Sequence, residues 1–181
     1  EIQLVEKFRH IEKEFLQLKN LNIPLRITHN DTKINNVMLD EKTKKGLCVI
    51  DLDTVMPGII LNDFGDMVRS FVSPTLEDSS DYSKVKVRLN IFEALANGYL
   101  SETNNILTKD EKENLLVGAK IIIYEQAIRF LTDYIEGDVY YKINHKDHNL
   151  VRAKNQFALL EDVELNLKIM ESIINKYRKW V

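Results

Sequence analysis

The stretch His29-Asn30-Asp31-Thr32-Lys33-Ile34-Asn35-Asn36, with the two apolar runs behind it, constrains the fold more than any other part of the chain. Asp31 is followed by Lys33 and Asn36. A short apolar run, a lysine-rich polar turn (Asp40 to Gly46) and a second apolar run, Leu47-Cys48-Val49-Ile50, then lead into Asp51-Leu52-Asp53. Two short strands joined by such a turn bring Asn36 and Asp51 to one end of a hairpin. Phosphoryl transfer needs a carboxylate beside the attacking hydroxyl, a cation near the migrating group, and oxygen ligands for Mg²⁺. Asp31 can supply the first, Lys33 the second, and Asn36 with Asp51 the third. A lone D-x-x-x-x-N recurs by chance; the added His29, Lys33 and I-D-L-D after a strand-turn-strand interval give it meaning.

The rest of the chain reads as one mainly helical unit, α+β with a small β-hairpin, over residues 1–181. With 181 residues, 44% of them hydrophobic, it is sized for one packed core. A net charge of −3 argues against tracking nucleic-acid phosphates or anionic lipid. A single cysteine allows no internal disulfide, and no signal-like or transmembrane run occurs, so a cytoplasmic chain is expected. Cys48, on an apolar strand, reads as a small core residue.

Leu4, Phe8, Ile11, Phe15 and Leu18 recur at helical spacing, predicting a helix over Glu1 to Leu18 that ends before Pro24. An extended run, Leu25 to Thr28, leads into the Asp31 loop. Val55 to Leu61 reads as an apolar loop, and Asp63 as the cap of a helix through Arg69 and Val72. Pro74 to Ser80 reads as an acidic, mobile loop, and Tyr82 to Tyr99 as a helix. Thr108 with Glu111 forms a capping-box pattern for a long helix that runs apolar from Leu115 to Leu131 and ends near Gly137. A last amphipathic helix spans Asn149 to Tyr177. His145 and His148 sit in a polar run without a third metal ligand, so they read as surface or cap residues.

H-N-D-T-K-I-N-N resembles the catalytic loop of the kinase-like phosphotransferases, matching the protein-kinase form H-R-D-L-K-x-x-N in spacing. V-I-D-L-D-T-V-M-P-G (Val49 to Gly58), N-D-F-G-D-M-V-R (Asn62 to Arg69) and R-F-L-T-D-Y-I-E-G-D-V-Y (Arg129 to Tyr140) are similar to the N-acetylhexosamine 1-kinases, within the aminoglycoside-phosphotransferase superfamily. The resemblance implies the carboxy-terminal lobe of a protein-kinase-like fold. It also implies ATP with Mg²⁺ as donor and the anomeric hydroxyl of N-acetylglucosamine or N-acetylgalactosamine as acceptor. Asp31 and Lys33 are then catalytic; Asn36, Asp51 and Asp53 hold the metal; His29 and Asp63 support the loop. The literal D-F-G at Asp63 comes too late in the chain to be the metal motif, since the preceding strand already delivers Asp51.

On spacing alone, Arg129 and Asp133 read as an ordinary i,i+4 ion pair. The resemblance implies instead that Arg129 and Tyr140 contact the sugar, with Asp133 counted beside them as a substrate residue. A guanidinium fork and a phenol suit neutral hydroxyls and an acetamido carbonyl. No Gly-rich loop, phosphate-binding lysine strand or G-x-x-x-x-G-K-[ST] occurs. The expected partners are therefore a sugar, a nucleotide and an amino-terminal lobe absent from this chain, with the chain inactive alone. A kinase for another small alcohol, a pseudokinase module and a helical interaction domain are the competing readings.

Overall fold

The computed structural model describes residues 1–179, and its framework is a set of helices packed around one central rod. The rod is helix α6 (Leu115–Glu136), which buries Leu115, Ala119, Ile123, Ala127 and Phe130. Helices α3 (Ile60–Phe71) and α7 (His148–Tyr177) flank it, while α4 (Leu89–Thr103) lies on α7. Two amino-terminal helices, α1 (Ile2–Phe8) and α2 (His10–Gln17), close the remaining side. There Phe8 stacks on Phe157 of α7, with ring centroids 6.3 Å apart. No helix among the described residues is long and apolar enough to cross a membrane.

Several elements depart from the sequence expectation for identifiable reasons. The first helix divides at Arg9, whose N–H turns back to the Glu6 carbonyl in a tightened turn. The Thr108/Glu111 capping box is present, but it opens only the short α5 (Lys109–Glu113) before Asn114 breaks the run and α6 begins. Gly137, at φ 94°, ends α6 in the left-handed conformation that glycine adopts without steric cost. The helix expected from Tyr82 starts only at Leu89. Arg88 instead turns its guanidinium onto the Phe71 and Ser73 carbonyls, and the Val87 N–H is taken by Asp162. Residues 74–80, expected as a mobile loop, are fastened at Glu77 by Arg69 and at the Leu76 and Ser79 carbonyls by Asn155.

The strands form two small antiparallel ribbons. β2 (Val37–Leu39) pairs with β3 (Gly46–Val49) as the predicted hairpin. β1 (Arg26–Thr28) pairs with β4 (Met56–Gly58), a strand in the segment expected to be a loop. Among the described residues neither ribbon carries a covering layer, so Cys48 is exposed rather than in the core. Arg26 anchors β1 to the helices through two hydrogen bonds, 2.6 and 2.7 Å, to the fully buried Glu111.

The join between α3 and α6 sets the geometry of everything below. Gly65 faces the Gly118 backbone, and Gly118 faces the Leu61 backbone, so a methyl at either position collides with main chain that cannot swing aside. Gly118→Ala is expected to cost roughly 1–3 kcal/mol by overpacking. Thermal melting should show a Tm lower by about 2–4 °C per kcal/mol. An unchanged Tm would show that the helices do not need this close approach.

Candidate active site

The Asp31 loop leaves β1 and is held from three sides. The carboxylate of Asp63, in the first turn of α3, accepts the His29 N–H at 2.9 Å and the Asn30 N–H at 2.8 Å. The Thr32 hydroxyl donates to the Asp63 carbonyl at 2.7 Å. Thr54 donates to the His29 carbonyl and accepts from Asn30 at its own, while His29 Nε2 lies 3.1 Å from the Ile50 carbonyl. Asn30 takes a positive φ of 62°, a conformation that Asn and Asp tolerate best. Asp63 was expected to cap α3, but the helix opens at Ile59 without a side-chain cap. Its buried carboxylate is spent on the loop's backbone donors, the supporting role that the resemblance implies.

Within the loop, one oxygen of Asp31 accepts both Lys33 Nζ (2.7 Å) and Asn36 Nδ2 (2.8 Å). The amide of Asn36 also donates to the Asp31 carbonyl at 2.8 Å. Burial works to raise the Asp31 pKa, but donation from Lys33 and Asn36 and the nearby Arg69 charge outweigh it and hold the carboxyl below its ordinary value. The same Asp31 contact holds Lys33 above its ordinary value against partial burial. Asp31 is thus a carboxylate with one oxygen oriented and the other uncommitted, the state a proton acceptor requires.

The hairpin carries the next residues. The Ile50 N–H donates to the Asn36 carbonyl at 2.9 Å, so Asp51 follows directly beyond Asn36. Asp51 is left-handed at φ 63°, and Asp53 sits on the exposed turn Leu52–Thr54. No hydrogen bond or ion pair engages either carboxylate among the described residues. Asn36 spends its amide nitrogen on Asp31, which leaves its oxygen over. These three are hard oxygen donors of the kind that suit Mg²⁺. No group of three or more His, Cys, Asp or Glu side chains among the described residues forms a protein-only metal cage. A cation held by one or two carboxylates needs none, because phosphate oxygens complete its shell.

Two of the cavities that Arg129 lines lie on the side of the Asp31 loop and of Tyr140. The first, about 260 Å³, runs from Asp31 across α3 to α6 and is lined by Asn62, Asp66, Arg69, Glu125 and Arg129 among others. The second, about 340 Å³, lies beside it between Arg129, Glu136, Tyr140 and Tyr141. The Arg129 guanidinium lies 5.8 Å from the Tyr140 ring centroid and 5.7 Å from that of Tyr141, within cation–π range. No ion pair joins Arg129 to Asp133. Asp133 instead accepts the Tyr140 N–H (2.7 Å), the Tyr141 N–H (2.9 Å) and the Asn149 amide (2.8 Å). Both its oxygens accept from the protein, so Asp133 positions the Tyr140–Tyr141 segment, and it lines the second cavity beside Arg129. His148 is buried and accepts the Asn144 N–H at the start of α7, while His145 stays exposed.

Sequence reading missed Asn62, Asp66, Arg69 and Glu125 as cavity residues. A signal was present. Asn62, Asp66 and Arg69 stand at i, i+4 and i+7, a polar stripe along α3, and Glu125, Gln126 and Arg129 form a second one on α6. The model of the phosphotransferase enzyme family (APH) matches residues 2–94, just over half of the 181 residues. The matched stretch holds the Asp31 loop, the hairpin, Asp51, Asp53 and the polar face of α3; Arg129 and Tyr140 lie beyond it.

Proposed function

Because the chain belongs to the phosphotransferase enzyme family, we propose that its Asp31 loop serves transfer of the γ-phosphoryl group of ATP to the anomeric hydroxyl of an N-acetylhexosamine. The uncommitted oxygen of Asp31 orients that hydroxyl and takes its proton as the oxygen–phosphorus bond forms. The bond to the β-phosphate breaks, and ADP leaves. Lys33 offsets charge on the phosphoryl oxygens. Asn36, Asp51 and Asp53 would hold Mg²⁺, which supplies charge neutralisation at the nucleotide phosphates.

The observation that carries the choice of acceptor is the charge balance of the cavity beside Asp31. Its lining holds three carboxylates, Asp31, Asp66 and Glu125, against two guanidiniums, Arg69 and Arg129. Lys33 pairs with Asp31 and Glu77 with Arg69, so these two partners offset each other and the sum stays at one net negative charge. A polycationic aminoglycoside favours a carboxylate-rich lining, whereas a neutral polyhydroxy acceptor favours this one. Arg129, stacked with Tyr140 at the shared rim of both cavities, is suited to an acetamido carbonyl. The apolar side chains Leu25, Ile27, Met56, Leu47 and Val49 stand exposed on the ribbons next to Asp51. They favour a nucleotide-covering lobe packed over them.

Arg129→Lys and Tyr140→Phe test the acceptor assignment in the intact enzyme. Arg129→Lys keeps the charge but loses the planar fork, and no ion pair to Asp133 is there to be lost. Sugar kcat/KM is expected to fall by roughly 1–3 kcal/mol in transition-state terms, with Tm and ATP affinity nearly unchanged. Tyr140→Phe should impair the same sugar-dependent step. Initial rates over a range of sugar concentrations, beside thermal melts, decide the matter. Lowered melting with normal sugar kinetics would make Arg129 a structural residue.

A further inference from the structure

Asp66 is 8% exposed and spends only one of its oxygens within the protein. Arg69 Nε and Nη2 both lie 2.9 Å from Asp66 Oδ1. Asp66 Oδ2 is fully buried and has no hydrogen-bond partner, and the same is true of Asn62 Oδ1 one helical turn earlier. Both residues line the cavity that Asp31 opens onto. An unpaired buried acceptor carries a desolvation cost that a folded protein normally avoids. Two of them on the α3 face that lines the cavity, beside a proton-accepting carboxylate, are satisfied when a ligand seats there and a small side-chain rotation turns each oxygen toward its donors.

We propose that Asn62 and Asp66 are acceptor-binding residues, each receiving a hydrogen bond from a hydroxyl of the molecule being phosphorylated. Together with Asp31 they present three acceptors along one wall of the cavity. The Arg69 guanidinium is already taken up by Asp66 and Glu77 (2.7 Å), so it neutralises the wall without competing for the ligand's hydroxyls. Such a wall selects a polyol that offers several O–H donors at once. It discriminates against an acceptor with a single hydroxyl, because the latter leaves Asn62 and Asp66 unsatisfied. The close Gly65–Gly118 contact brings this wall against α6, where Glu125 and Arg129 form the opposite side.

The assignment rests on the reading of this cavity as the acceptor site, and the experiment separates the two. In Asp66→Asn the amide oxygen keeps the Arg69 bond and the NH₂ group faces the cavity, so an acceptor becomes a donor. Asn62→Ala removes its acceptor outright and leaves the Arg69 pair alone. Wild type and both variants of the intact enzyme are assayed with N-acetylglucosamine, N-acetylgalactosamine and analogues lacking one hydroxyl at a time. Each variant is expected to raise sugar KM by roughly 5–100-fold, beyond any loss in kcat, with the KM for ATP unmoved. One deoxy analogue that is poor for wild type should lose little more in the variant whose partner it lacks. Sugar KM values equal to wild type, or equal losses on every analogue, overturn the proposal. If wild type uses no N-acetylhexosamine, the sugar reading alone fails. Whichever alcohol the enzyme does phosphorylate then takes its place in the same comparison, with the same outcomes for and against.

Discussion

Asp31→Asn is expected to lower turnover by roughly 10²–10⁴-fold in the intact enzyme while sugar affinity stays close to wild type. The substitution is nearly isosteric, so the loop's backbone ties to Asp63 are untouched. What changes is the oxygen left free by Lys33 and Asn36. The amide oxygen can keep those two donors, which turns the NH₂ group toward the acceptor and removes the proton's destination. The carboxyl's lowered pKa also fixes the sign of the pH response. A group held below its ordinary value of 3.8 stays ionised throughout the neutral range and loses its proton-accepting form only as pH falls through that lowered value. No acidic limb in kcat/KM above pH 3.8 should trace to Asp31. Near-normal turnover in the variant would remove Asp31 from the chemistry.

Asp51→Ala and Asp63→Ala should fail in different ways, though both lie beside the same loop. Asp51 is exposed and its carboxylate makes no hydrogen bond or ion pair among the described residues, so its loss should leave Tm almost unchanged and abolish productive use of Mg-ATP. Asp63 is 7% exposed and accepts two loop N–H groups. Removing it orphans both donors and should cost roughly 2–4 kcal/mol, more than a lost helix cap would. Activity should fall in step, since the loop that carries Asp31 is no longer held. Melting curves and a Mg²⁺ titration on both variants separate the roles. A raised Mg²⁺ requirement in Asp63→Ala, with Asp51→Ala normal, would exchange the two assignments.

The parts of this site legible in the sequence are those fixed over short separations. Asp31, Lys33 and Asn36 lie within six residues, and the hairpin that brings Asp51 beyond Asn36 declares itself by two apolar runs around a lysine-rich turn. The parts that were not legible depend on partners far along the chain. From local pattern Asp63 reads as a helix cap, because its partners, the N–H groups of His29 and Asn30, lie more than thirty residues away; only the family resemblance points to support of the loop. Arg129 and Asp133 have the spacing of an ion pair, but the turn at Gly137 folds Tyr140 and Tyr141 back, and their backbone donors claim the carboxylate first. Cys48 has the pattern of a core residue, yet a two-stranded ribbon has no second layer to bury it. Asn62 and Asp66 share a polar face of α3, but which side of that face meets a cavity depends on Glu125 and Arg129 of α6, more than fifty residues further along the chain.

Identifying the product tests the central claim most directly. The intact enzyme is incubated with Mg-ATP and, separately, N-acetylglucosamine, N-acetylgalactosamine, an aminoglycoside and choline. ADP is measured against time, and the phosphorylated carbon is assigned by phosphorus NMR. The account predicts one sugar phosphate per ADP, on the anomeric oxygen of an N-acetylhexosamine, and no turnover with the cationic acceptors. ADP formed only with the aminoglycoside or choline, or phosphate on a different sugar hydroxyl, would contradict it.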